Sequence, residues 1–218
     1  MNVLEVLTFL FFSALEWLSL IVLTFAIFKF QLPGYWGRLL LSSFMLSLLS
    51  YMILIALELS MYGPSIQMPI VFLYFWQIFR IPIFYAGLMV VNGYMLYTII
   101  QAVILFVFQF TGMLVTLENH QVILVQSITA FIAFFLAWVL IRTNWGFTFV
   151  PDTDRVKMNW NKLNIRLLLM SILGYVTLSA SYFIYFLGYT PSLVMMFEAI
   201  VFGVLQYLVF KREYNGNG

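Results

Sequence analysis

The sequence predicts an all-α, polytopic membrane protein of about seven transmembrane helices, N-terminus outside and C-terminus cytoplasmic. Three observations carry that reading. Charged residues make up 8% of the chain and hydrophobic ones 64%, whereas a soluble domain carries about 25% charged residues to cover its wet surface. The apolar runs approach the length of a membrane span, about 20 residues, with Pro, Gly or polar residues between them. Threading the chain seven times through a bilayer puts all ten Lys and Arg on one side, and the basic bias of short loops sets orientation.

The first expected span covers Leu4–Phe28 and ends at Lys29, with Pro33-Gly34 marking a turn. It starts at once, with no basic leader region and no small-residue cleavage site, so a removable signal peptide is not expected. The second covers Leu39–Leu59 after Arg38, and Gly63-Pro64 marks a connection free of basic residues. From Met68 to Phe110 the run is too long for one span. Arg80-Ile81-Pro82 suggests a cytoplasmic turn, because proline disfavours helix at the preceding residue. That gives a short third span, Ser65–Phe79, and a long fourth, Ile83–Phe110. The alternative turn, Asn92-Gly93, would leave Arg80 inside the membrane, where it could pair with Glu16.

The fifth span is Gln121–Ile141, the sixth Leu167–Leu187 and the seventh Leu193–Phe210, stopped by Lys211-Arg212. Residues 1–214 thus form a single helical membrane domain. The polar, glycine-rich residues 215–218 are expected to be disordered.

Composition also excludes. The chain has no cysteine and a single histidine, His120, so disulfides, thiolate sites, a bis-histidine haem and a typical zinc site are not expected. The basic residues form no clustered stripe of the kind that nucleic acid requires. No zinc-protease, serine-hydrolase, phosphate-loop or dinucleotide motif is present, and the seventh span has no lysine for a retinal Schiff base. The expectation is a non-enzymatic protein without cofactor or metal.

Acidic residues inside apolar runs are the first candidates for function. Glu16 falls near the middle of the first span, where a charge costs about 2.5–3.5 kcal/mol on insertion scales. Glu5, eleven residues earlier, falls on nearly the same helical face. Glu198 sits in the outer half of the seventh span, and Glu58 and Glu118 near the outer surface. Together they suggest an acidic, outward-opening pocket for a cationic or peptidic ligand, or a protonatable switch at Glu16. The plainer alternative gives Glu16 and Glu198 only interhelical hydrogen bonds.

The second candidate is the long cytoplasmic loop 142–166. It joins Arg142, Arg155, Lys157, Lys162 and Arg166 to Trp145, Phe147, Phe149 and Trp160. Such a mixture suits an interfacial loop held by anionic lipid, or a docking surface for a cytoplasmic partner. Asp152 and Thr153 are candidate caps for a helix entering the sixth span, with Asp152 and Asp154 suited to its positive end. Small residues on one face (Ser43, Ser47 and Ser50; Ala130, Ala133 and Ala137; Ser171, Gly174 and Ser181) read as close helix packing, with a polar path as the alternative.

The segments Phe79-Arg80-Ile81-Pro82-Ile83-Phe84-Tyr85-Ala86 and Gly146-Phe147-Thr148-Phe149-Val150-Pro151 resemble parts of small, uncharacterised membrane proteins of spore-forming Gram-positive bacteria. The overall layout is similar to the membrane sensor region of peptide-pheromone receptor histidine kinases of the accessory-gene-regulator type. The outer acidic residues, the inner basic-aromatic loop and the N-out, C-in plan suggest a cell-membrane sensory subunit that binds an extracellular ligand and acts through a cytoplasmic or membrane partner, with homo- or hetero-oligomers possible. No kinase part is expected after Lys211-Arg212, and no functional residue carries across. Two other classes compete: a small transporter or its substrate-binding subunit, and a structural subunit that only packs against membrane proteins. An internal repeat and interrupted spans, common in transporters, are not evident.

Overall fold

The structure, a computed structural model, describes residues 3–30, 32, 34–111, 119–151, 160–187 and 191–216. Among the described residues seven α-helices follow one another: α1 Val3–Ile27, α2 Trp36–Tyr51, α3 Gly63–Gln77, α4 Ile83–Phe110, α5 Asn119–Arg142, α6 Lys162–Phe186 and α7 Pro191–Gly216. A π-helical turn, Met52–Ala56, extends α2, and a 3-10 turn, Ser60–Tyr62, leads into α3. No strand occurs among the described residues. Five helices (α1, α2 with its extension, α4, α5 and α6) are long and apolar enough to cross a membrane. At 15 residues α3 is about 22 Å long by the 1.5 Å rise. The chain is an all-helical integral membrane protein.

The lipid-facing surface follows from the sequence turn by turn. On α5, Phe131, Phe135 and Trp138 point outward, while Ala130, Ala133 and Ala137 are buried. Bulky residues face the hydrocarbon, and small ones let α1 and α4 come close to α5. This arrangement inverts the soluble pattern, which explains why no helix shows a polar outer stripe.

α4 is the central post, touching α1, α3, α5, α6 and α7. Two glycines permit its close approaches. A Cβ on Gly93 would collide with the Thr24 side chain of α1, and one on Gly174 of α6 would lie 2.7 Å from Val91 of α4. Asn92-Gly93 therefore lies inside α4 and is not a turn. Asn92 is buried, bonds to the Leu88 carbonyl and accepts a hydrogen bond from Gln206 of α7.

The chain turns instead at Arg80–Pro82. Arg80 is exposed with φ 58°, and α4 starts one residue after Pro82. Lys29 and Asn144 also adopt positive φ at helix ends. In both cases the C-terminal carbonyls are satisfied by bonds turning back: Lys29 N–H to Ala26 and Phe30 N–H to Phe25, then Asn144 N–H to Ile141 and Trp145 N–H to Leu140. The Phe30 ring packs on Phe25 at 5.2 Å, the apolar contact that accompanies this cap.

The end of the bundle formed by these turns carries Lys29, Arg38, Arg80, Arg142, Lys162, Arg166, Lys211 and Arg212 and is termed the basic end. It is tightly packed. Phe25 meets Phe75, Phe79 and Tyr35, and Phe28, Phe147, Phe149 and Phe210 form a second aromatic cluster.

Two expectations need correction here. α6 is capped by Asn161, whose side-chain oxygen accepts the Asn164 N–H at 2.8 Å, not by Asp152 or Thr153. Those two, with Asp154, lie outside the described residues. A cap must stand immediately before the first helical turn, and α6 begins at Lys162. The seventh helix also runs beyond its expected end at Phe210: α7 continues through Lys211-Arg212 to Gly216. The Glu213 carboxylate anchors that last stretch, accepting hydrogen bonds from the Thr148 N–H, the Thr148 hydroxyl and the Phe149 N–H at 2.9, 2.6 and 3.2 Å. Residues 217–218 lie outside the described residues.

Candidate functional site

Opposite the basic end the packing opens into a cavity of about 370 Å³ to which all seven helices contribute. Its wall is assembled from helix ends: the first half of α1, the end of α2, the start of α3, the second half of α4, the starts of α5 and α7, and the end of α6. That pattern follows from antiparallel threading, which brings alternate N- and C-terminal ends to one level.

α1 supplies a stripe at helical spacing, Phe9, Ser13, Glu16, Trp17 and Leu20. Glu16 is half-buried because it faces the cavity. Glu5 continues the same stripe, but eleven residues at 1.5 Å displace it by about 16 Å along the axis. It is exposed and does not line the cavity. Glu198 of α7 does line it, buried to 5% exposure beside the Ser181 hydroxyl of α6. Glu16 and Glu198 thus share one cavity, and Glu5 stands apart.

Several lining residues carry no charge and so stood out less in the sequence. The Trp17 indole N–H and the Gln67 amide both donate to the Ser50 hydroxyl oxygen, at 2.8 and 3.1 Å, tying α1, α2 and α3 together at the wall. Tyr94 and Tyr97 of α4 stand near both Glu16 and Tyr182. Their hydroxyls are buried; among the described residues none reaches the Tyr94 hydroxyl at hydrogen-bond geometry, while the Tyr97 hydroxyl stands against Ser19 and Glu16. The Tyr97 hydroxyl lies next to the Glu16 carboxyl without reaching hydrogen-bond geometry. Gln101 and Gln126 complete the polar lining. Polar residues within apolar runs (Ser50, Gln67, Gln101 and Gln126) were the available signal, since such residues face the bundle or a cavity.

The small-residue faces divide between packing and lining. Ser43, Ser47 and the three alanines are buried in helix contacts, with the Ser47 hydroxyl donating to the Leu10 carbonyl of α1 at 2.8 Å. Ser50 and Ser181 open onto the cavity. A second recess, about 330 Å³ between α3, α4 and α6, is lined by apolar side chains apart from Ser171 and Tyr175.

At the basic end, Arg142, Trp145, Trp160, Lys162 and Arg166 are exposed, while Arg155 and Lys157 lie outside the described residues. The loop's other aromatic residues turn inward: Phe147 is buried between Phe28 and Phe210. The loop is pinned twice, by the Glu213 carboxylate and by the Phe147 N–H donating to the Ile27 carbonyl at 2.8 Å. The second pin requires glycine at 146, where φ is 147° and a Cβ would lie 2.5 Å from the Ile27 oxygen. Arg80 lies at this end, far from Glu16, so the pairing considered from sequence does not form.

No group of three or more potential metal ligands occurs among the described residues. Comparison of the chain with family models, with curated proteins and with solved structures gave no match.

Proposed function

We propose that the protein is a sensory or signalling subunit of the bacterial cytoplasmic membrane that binds a small extracellular ligand in the seven-helix cavity and acts through a separate partner. By the basic bias of its loops the cavity end faces outside. The observation that carries the reading is the course of α7. One end of this helix places Glu198 in the cavity, and its middle bonds to Asn92 of α4 through Gln206. Its other end holds the loop 143–150 through Glu213. A ligand that shifts α7 changes how the basic, tryptophan-bearing loop is presented. Coupling of this kind requires that the ligand favour one of two arrangements.

Site-specific photocrosslinking from Trp145 and Trp160 in the native host tests the reading. A discrete cytoplasmic or membrane partner, lost in Glu213→Ala, is the expected result. Crosslinks to lipid alone would contradict it.

A second reading, a transport or substrate-binding subunit, is favoured by one feature. The π-helical turn Met52–Ala56 continues α2 at the cavity wall, where its Leu54 lines the cavity near Ser50, and such turns are frequent at functional sites. Uptake of labelled solutes by proteoliposomes would favour transport over sensing.

A further inference from the structure

We infer that the ligand of the seven-helix cavity is a small organic cation, an ammonium group carried on a compact body, held by Glu16 and Glu198 within a wall of aromatic rings. The inference rests on the cavity being a ligand site, as proposed above. Among the described lining residues two are carboxylic acids and none is basic. A carboxylate withdrawn from bulk water must take up a proton or find a counter-charge, and the described lining supplies no counter-charge.

The rings supply the second part of the recognition. Phe9, Trp17, Tyr94, Tyr97 and Tyr182 line the same space, with Trp17 and Tyr94 edge to face at 5.9 Å. Aromatic faces attract organic ammonium ions, and boxes of such rings are their common receptors.

The third part is independent of the acids. Tyr94 is 6% exposed and lines the cavity, and among the described residues its hydroxyl has no hydrogen-bond partner. Buried polar groups are paired in nearly all native proteins, so the Tyr94 oxygen is an unused acceptor for an N–H or for ligand-borne water.

Size and donor set exclude the alternatives. At about 370 Å³ the cavity lies near the lower end of small-molecule sites, about 300–1,000 Å³, too small to enclose a folded peptide. A bare divalent metal ion would lack ligands, since no cluster of three acidic, histidine or cysteine residues occurs among the described residues.

Binding to the purified full-length chain in detergent micelles, followed by isothermal titration at constant ionic strength, tests the inference. The probes are phenyltrimethylammonium, its neutral isostere tert-butylbenzene with a solubilising hydroxyl, and benzoate. The cation is expected to bind saturably, at least about tenfold more tightly than either other probe. Glu16→Gln and Glu198→Gln should each weaken it about tenfold or more, the loss expected for one partner of a buried charge pair. Equal binding of the neutral probe, or insensitivity to both substitutions, would overturn the cation assignment while leaving a ligand cavity. Failure of every probe to bind would overturn the assignment and remove the support it lends to the sensory reading. The comparison of probes on the unmodified protein stands even if a substituted chain does not fold.

Discussion

The Trp17 indole N–H reaches the Ser50 hydroxyl at 2.8 Å across the α1–α2 interface, and Gln67 of α3 donates to the same oxygen. One small hydroxyl thus serves two buried donors from two other helices. Ser50→Ala leaves both without an acceptor, at roughly 1–3 kcal/mol for each unsatisfied group. Thermal unfolding in detergent should show a clear loss for Ser50→Ala and a smaller one for Ser50→Thr, which keeps the oxygen. Equal losses would show that side-chain volume, not the hydrogen bonds, matters at this position.

Asn92 and Gln206 join α4 to α7 in the bundle interior. Hydrogen bonds between membrane helices average about 0.6 kcal/mol and reach about 1.7. A double-mutant cycle with Asn92→Ala and Gln206→Ala should give a coupling energy in that range. Additive effects would mean that the pair does not couple the two helices.

Two glycines in apolar helices should respond oppositely to the same change. Gly93→Ala drives a methyl group into Thr24 and should cost about 1–3 kcal/mol by overpacking. Thr24→Ala in the same chain should recover most of that loss. Gly203 of α7 faces open space, so Gly203→Ala should be neutral or stabilise by up to about 1 kcal/mol through helix propensity. Unfolding midpoints of the three variants check the ordering.

The loop at the basic end depends on its two pins. Gly146→Ala sets a methyl against the Ile27 carbonyl and forces a side chain into a backbone conformation reserved for glycine. Glu213→Gln keeps the shape but lowers the acceptor strength toward the Thr148 and Phe149 amides. Limited proteolysis from the basic side should cut within 143–150 readily in Gly146→Ala, to a lesser degree in Glu213→Gln, and least in the unmodified chain. Uniform cleavage in all three would mean that the pins do not hold the loop.

The helices were legible because length, proline position and basic punctuation are local properties. Pro82 marks the start of α4, and Lys29 and Arg142 mark the ends of α1 and α5, directly from the chain. The cavity was only half legible. Glu16 and Glu198 stand out as charges within apolar runs, but that both face one space depends on how seven helices rotate about their axes. Glu5 shares a helical face with Glu16, and only depth along the axis separates them.

Asn92-Gly93, the alternative turn that the sequence offered, shows why such signals mislead inside a membrane helix. The dipeptide that marks turns in soluble chains here serves helix packing, the asparagine as a hydrogen-bonding link and the glycine as a point of close approach. The Asn161 cap and the Glu213 anchor were missed for a simpler reason. Both are polar residues at helix ends whose partners lie elsewhere in the fold or one turn on.

In the proposed orientation the acidic, aromatic cavity opens outside the cell and the tryptophan-bearing loop lies inside. The chain has no cysteine, so single cysteines report accessibility without background. Ser60→Cys at the cavity wall and Trp160→Cys at the basic end should be treated with a membrane-impermeant thiol reagent. Ser60→Cys should be labelled in intact cells, and Trp160→Cys only after the cells are opened. The reverse pattern, or labelling of both in intact cells, would contradict it.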